Sequence, residues 1–147
     1  VIRYLDSDLF SSQAQTWVNP VNLQGIMGAG LAELFRIRFP EMFREYQGLC
    51  LRQALRPGLL HLWKGPERWV LNFPTKLDWR KPAHLDQVEA SLKSFQICYE
   101  GWGIESVAFP ALGCGLGRLR WEEDVRPLME RMLGNLPIKI DVHLPRR

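Results

Sequence analysis

Two short glycine-rich stretches and one lysine carry most of the chemistry that this sequence offers. Gly25-Ile26-Met27-Gly28-Ala29-Gly30 follows the β-branched, aromatic run "TWVNPVN", and Gly113-Cys114-Gly115-Leu116-Gly117 follows "FPAL". Glycine loses more backbone freedom on folding than any other residue, so such clusters serve special dihedrals or the close approach of another group. A glycine loop between a strand and a helix presents backbone N–H groups and a helix N-terminus, an arrangement that can hold phosphate. Lys76, in "NFPTK", stands just past a further apolar run, where an amine could meet whatever the loops bind. From the residues alone, two ordinary turns and a solvated surface lysine are the competing reading.

Spacing excludes the common phosphate loops. No Gly-Lys-Ser or Gly-Lys-Thr occurs, so there is no Walker A loop. A G-x-G-x-x-G pattern begun at Gly113 meets Arg118 at its last position, and the first loop reads G-x-x-G-x-G, the reverse order. Cys50, Cys98 and Cys114 form no C-x-x-C pair, and His61, His84 and His143 have no metal-ligand spacing. No bound metal is expected, and reduced thiols fit a cytoplasmic protein. No apolar run is long enough for a bilayer and no signal peptide opens the chain, so no membrane partner is expected. The net charge of +3 is too mild to argue for nucleic acid by itself.

The elements that must position these residues follow from periodicity. Val1–Tyr4 and Thr16–Pro20 read as strands. Leu31, Leu34 and Phe35 mark one face of a helix, and Pro40 opens a second that carries Met42, Phe43 and Tyr46. Leu59–Trp63 and Arg68–Phe73 flank a turn and predict a hairpin. Leu85, Val88, Leu92, Phe95 and Tyr99 form the buried stripe of an amphipathic helix. Ser106–Leu112 reads as a central strand apolar on both faces. Val125, Leu128, Met129, Met132 and Leu133 mark a last helix, with Asp124 as N-cap and Pro127 in its first turn. Ile138–Leu144 alternates as a closing strand. The sum is one α/β domain spanning residues 1–147, a mixed six-stranded sheet sandwiched between helices. Because the chain starts at Val1, at least an initiator residue is expected to be missing, and a further C-terminal domain is left open.

Five segments in this order, "SDLF", "VNPVN", "GIMGAGLAELF", "NFPTK" and "PALGCGLGRLRW", resemble a macrodomain. The likeness is to the branch that holds DarG, the antitoxin of the DarT–DarG DNA ADP-ribosylation pair, and the terminal ADP-ribose glycohydrolase of animals. It runs from about Asp8 to the last strand. The resemblance implies ADP-ribose as ligand and product, with no other cofactor. It assigns Asp8 to the adenine amino group with Leu9 beside it. Asn19, Asn22, Gln24 and Met27, Gly28, Ala29, Gly30 would lie along the distal ribose and diphosphate. Thr75 and Leu112 would flank the ligand, and Gly113, Cys114, Gly115, Leu116 and Gly117 would wrap the diphosphate from the other side. Lys76 would be catalytic.

A lysine suits an N-glycosidic bond in two ways that sequence does not separate. As a neutral amine it can attack and pass through a Schiff base; as an ammonium it can stabilise the leaving group. Burial, or the nearby Arg80 and Lys81, would lower its pKa. The animal enzyme has an aspartate where this chain has Gly117, which implies a DarG-like, thymidine-linked DNA substrate over an ADP-ribosylated glutamate. A reader that binds ADP-ribose without turnover is the further alternative. Ala29 stands where many DarG-like sequences have lysine. Trp79, Arg80, Lys81, Arg118 and Arg120 interleave cations with an aromatic and are candidates to contact single-stranded DNA; Trp121 is expected in the core. The resemblance further implies a monomeric antitoxin with a DarT-like toxin as partner.

Overall fold

The computed structural model describes residues 1–144. Six strands form one sheet in the order β1 (Ile2–Leu5), β6 (Lys139–His143), β5 (Ser106–Pro110), β2 (Thr16–Val21), β4 (Trp69–Pro74), β3 (His61–Lys64). All neighbouring pairs are parallel except β3–β4. The predicted hairpin is that antiparallel pair. α1 (Gly30–Arg38) and α2 (Pro40–Leu51) cover one face, and α3 (Leu85–Cys98) and α4 (Arg126–Leu133) the other.

Alternation along the strands explains the two layers. Val107, Phe109, Ile140 and Val142 join Val88, Leu92, Phe95 and Met129 on the α3/α4 side. Trp17, Val21, Val70 and Ala108 meet Phe35, Met42 and Tyr46 on the α1/α2 side. β2 and β4 are buried on both faces, as their near-continuous apolar runs require.

Three sequence expectations shift. Leu34 is 51% exposed, because the face that packs is Leu31–Phe35 with Phe39. β5 stops at Pro110 rather than Leu112, since Cys114 N–H donates to Ala111 O (3.1 Å) in a turn whose third residue, Gly113, has φ +71°. Asp124 does not cap α4. Pro127 cannot donate back along the helix, and the chain enters α4 through a wider π-helical turn, Trp121–Val125. Asp124 instead accepts from the backbone N–H of Arg120 at 3.2 Å. Trp121 packs edge-on against Tyr4 at the margin of the core, as expected. No helix among the described residues is long and apolar enough to cross a membrane.

Candidate functional site

β4, β2 and β5 lie side by side and parallel, so the loops that follow them leave the same edge of the sheet. That edge is where open α/β sheets hold ligands. The β2 loop (22–29) contains the first glycine cluster, the β4 loop (75–84) contains Lys76, and the β5 loop (111–120) contains the second cluster.

The first loop is built on Asn22. Its amide donates to Ile26 O (2.8 Å), and its Oδ1 accepts from Gln24 N–H (2.9 Å) and from the Tyr46 hydroxyl (3.0 Å). Tyr46 also donates to Asn22 O (2.6 Å), and Arg36 holds Met27 O at 2.9 Å. Asn22 is thus buried and shapes the loop from within. Asn19 is wholly buried and donates to Asn72 Oδ1 (3.0 Å); it supports the loop from behind. Leu9, Met27, Thr75 and Leu112 are likewise nearly or fully buried, so their side chains form the floor, while Gln24, Ile26, Gly28, Ala29 and Gly30 of the first loop and Gly115 and Leu116 of the third stand exposed. Asp8 remains exposed at the same edge, one carboxylate oxygen accepting from Phe10 N–H (3.0 Å).

The middle loop is tied to both neighbours. Leu23 N–H donates to Leu77 O (3.3 Å) and Trp79 N–H to Gln24 Oε1 (3.1 Å) on one side; Ala83 N–H donates to Gly117 O (2.9 Å) on the other. The two glycine loops also meet. A β-carbon on Gly30, which has φ +60°, would stand 3.0 Å from Leu116 Cδ1.

The glycines of the third loop divide by cause. Gly113 needs its positive φ, and a β-carbon on Gly117 would lie 2.5 Å from Gly113 O and 2.8 Å from Ala83 Cβ. Gly115 has neither constraint: its φ is not in the left-handed region and nothing stands within 4 Å of an added β-carbon. Gly28 is similar, with only Ile26 Cγ2 at 3.7 Å. The fold does not need glycine at these two places, which leaves the approach of an outside group.

Lys76 is half-buried in this setting, its ammonium donating to Trp79 O at 3.4 Å. Burial chiefly, and then Arg118, lower its pKa below the ordinary lysine value, while Asp78 opposes them. Arg80 does not contribute as expected, because it is spent on Asp78 (3.0 Å), whose carboxyl it holds down at about 2. Arg120 is likewise paired with Asp124 (3.3 Å). Trp79 is 49% exposed, and Lys81 and Arg118 are exposed. Burial, then Asp124, push the Cys114 thiol up to about 11, so it stays protonated and unreactive. Among the described residues no cluster of three or more His, Cys, Asp or Glu could hold a metal ion.

Sequence reasoning missed Tyr46 as the clamp of Asn22, Ala83 as the seat of the third loop, and the line Asn19–Asn72–His61. Asn72 donates to His61 Nδ1 (2.9 Å), and His61 Nε2 lies 3.1 Å from Glu45. Tyr46 showed only helical periodicity; Ala83 gave no signal.

What this geometry can do is hold a diphosphate between two backbone loops and set an amine beside it. The Macro domain family matches residues 18–128. The chain is 34% identical, over 98% of its length, to a Thermosipho africanus DNA ADP-ribosyl transferase–DNA ADP-ribosyl glycohydrolase fusion protein, and covers 42% of that relative. The solved structure of Thermosipho africanus DarTG in complex with ADP-ribose superposes with a TM-score of 0.92 (34% identity, 99% of this chain, 42% of that one). The macrodomain of Thermus aquaticus DarG also superposes at 0.92, with 32% identity and 99% of each chain covered. The ADP-ribose glycohydrolase OARD1 of Bos taurus is 30% identical over 97% of this chain and 90% of its own. This chain spans well under half the length of the first curated relatives, 42%, 41% and 36%. The glycine loops, the sheet edge they share and these likenesses agree: the chain belongs to the macrodomain family.

Proposed function

We propose that this macrodomain binds ADP-ribose and releases it from thymidine in single-stranded DNA, with Lys76 as the essential residue. The observation that carries this reading is the position of Lys76: a half-buried amine of lowered pKa, fixed between two glycine loops of a family whose DarG members are named DNA ADP-ribosyl glycohydrolases. Gly28 and Gly115 would admit the diphosphate, and exposed Asp8 would take the adenine end.

Burial and Arg118 shift Lys76 in the direction of the neutral amine that the covalent route uses. The Lys76 lone pair attacks the anomeric carbon of the distal ribose. The bond to the base breaks, its electron pair going to the base nitrogen, which takes a proton from water. The ring then opens to an imine, the ring oxygen taking the proton shed by the lysine nitrogen. Water adds to the imine carbon, and the carbinolamine expels the amine and leaves ADP-ribose. No cofactor enters.

A glutamate-linked substrate fits less well. The animal enzyme's aspartate falls at Gly117, where a β-carbon would collide with Gly113 O, and Asp78 is held by Arg80. The counterpart of such an activity is a DNA ADP-ribosyl transferase, as in the Thermosipho fusion, so we read the domain as the antitoxin side of that pair, monomeric and cytoplasmic.

The test is single-turnover incubation with single-stranded DNA bearing ADP-ribose on thymidine. Release by the parent and none by Lys76→Ala, with ADP-ribose still bound by the variant, is expected; borohydride should trap the imine on Lys76. No release by the parent, with ADP-ribose bound, would make the domain a reader.

A further inference from the structure

The cationic and aromatic residues of the loop that carries Lys76, of the second glycine loop and of the turn into α4 differ in how they are used. Arg80, Arg120 and Arg126 are each paired with carboxylates: Asp78 at 3.0 Å, Asp124 at 3.3 Å and Glu130 at 3.0 Å. Arg118 is different. Among the described residues its guanidinium makes no ion pair or hydrogen bond, and it stands near enough to the Lys76 ammonium to repel it. Its backbone has φ +66°, a left-handed conformation that costs a non-glycine residue roughly 1–2 kcal/mol. Glycine would sit there without strain and without crowding Lys76. An arginine kept at such a place is suited to an anion that comes from outside the protein.

Trp79 is the other unused group. Its indole is 49% exposed beside Leu77, itself 48% exposed, although its backbone is fixed at both ends. Gln24 Oε1 accepts from its N–H at 3.1 Å, and Lys76 donates to its carbonyl at 3.4 Å. An aromatic side chain with half of its surface open, on a backbone fixed next to the Lys76 amine, is a platform for a flat ring.

We propose that Trp79 and Arg118 form a nucleotide subsite on the leaving-group side of Lys76, in which Trp79 stacks on an unpaired base and Arg118 takes a phosphodiester of the DNA strand. This rests on the reading of Lys76 above and narrows it. Of the five cation and aromatic residues expected to touch DNA, these two discriminate the strand, while Arg80 and Arg120 are structural. The phosphate in question is that of the strand, not the ADP-ribose diphosphate, which Gly28 and Gly115 receive.

The test measures binding, so that it does not depend on turnover. In the full chain carrying Lys76→Ala, affinities are compared for free ADP-ribose by calorimetry and for ADP-ribosylated single-stranded oligothymidylate by anisotropy. The oligonucleotide should bind more tightly. Trp79→Ala should cost it roughly 5- to 150-fold, and Trp79→Phe should restore most of that. Arg118→Gly, which relieves the strained backbone and so keeps the fold, should weaken the oligonucleotide and flatten its salt dependence by a slope of about 0.7. Neither change should alter affinity for free ADP-ribose. An oligonucleotide that binds no tighter than ADP-ribose, or variants that weaken both ligands equally, would overturn the subsite. Tight, Trp79- and Arg118-dependent binding by a parent protein that releases nothing would uphold the subsite while removing the hydrolase.

Discussion

Alanine placed at Gly115 and at Gly117, two positions apart, should have opposite effects. At Gly117 the new β-carbon would stand 2.5 Å from Gly113 O and 2.8 Å from Ala83 Cβ. Neither can move cheaply: the carbonyl accepts from Leu119 N–H at 2.8 Å, and Ala83 N–H is bonded to Gly117 O at 2.9 Å. Overpacking of this kind costs roughly 1–3 kcal/mol. For a domain of this size that lowers the melting temperature by roughly 2–12 °C. At Gly115 nothing lies within 4 Å, and the backbone is not left-handed. Alanine there should be neutral or stabilising by up to about 1 kcal/mol, because it restricts the unfolded chain. It should nevertheless weaken ADP-ribose binding. If the methyl displaces one charge-assisted hydrogen bond to a phosphate oxygen, the loss is about 1.5–3 kcal/mol, roughly 10- to 150-fold in Kd. Thermal denaturation and calorimetry on the two variants decide the matter. A Gly115→Ala protein that binds ADP-ribose like the parent would refute the view that this glycine is open for a ligand. A Gly117→Ala protein of unchanged melting temperature would refute the packing argument.

Other consequences are equally direct. If the neutral amine of Lys76 is the nucleophile, the single-turnover rate rises with pH and levels off below the ordinary lysine value of 10.5; Arg118→Gly removes a neighbouring charge and should move the midpoint upward. A rate that falls with rising pH over that range would favour the ammonium. Tyr46→Phe leaves Asn22 without the donor to its carbonyl and Oδ1, which should cost roughly 1–3 kcal/mol in denaturant unfolding and weaken ADP-ribose binding through the loosened first loop. His61 is held below its ordinary value of 6.5, chiefly by burial, against an opposing pull from Glu45. The unfolded chain therefore takes up this proton first: stability from His61 is complete above 6.5 and is lost as pH falls through the lowered folded value. Melting curves across that window should flatten in His61→Gln.

The sheet, the helices and the place of Lys76 were legible because each rests on a local pattern. Period-two and period-3.6 apolar runs located the strands and helices, and "NFPTK" put a lysine one step past a strand. What is not local was not legible. Nothing in the order of β2, β4 and β5 along the chain says that they lie side by side as β5-β2-β4, so the contact of Leu116 with Gly30 could not be read. Nor could the sequence show that Asn19 and Asn22 are buried, with Asn19 bonded to Asn72 and Asn22 to Tyr46, partners that come from distant elements. Arg80 and Arg118 were indistinguishable as letters. Asp78 neutralises one and a left-handed backbone sets the other apart. Asp124 failed as a cap because Pro127 widened the turn before it.

The ties that bind the middle loop to both neighbours have a consequence for how the domain folds. Residues 22–29, 75–84 and 111–120 come from distant parts of the chain and meet only when β2, β4 and β5 are paired in register. Residues 16–84 carry two of the three loops but lack the third, so opening any one of the three strands leaves the cleft incomplete. Ligand occupancy therefore acts on the global folding equilibrium. At a hundredfold excess of ligand over Kd it adds about 2.7 kcal/mol, which for a chain of this length raises the melting temperature by roughly 5–11 °C. If ADP-ribose is the ligand, molecules holding it would survive proteolysis that removes empty ones, and the amount of this protein in a cell would follow the supply of ADP-ribose.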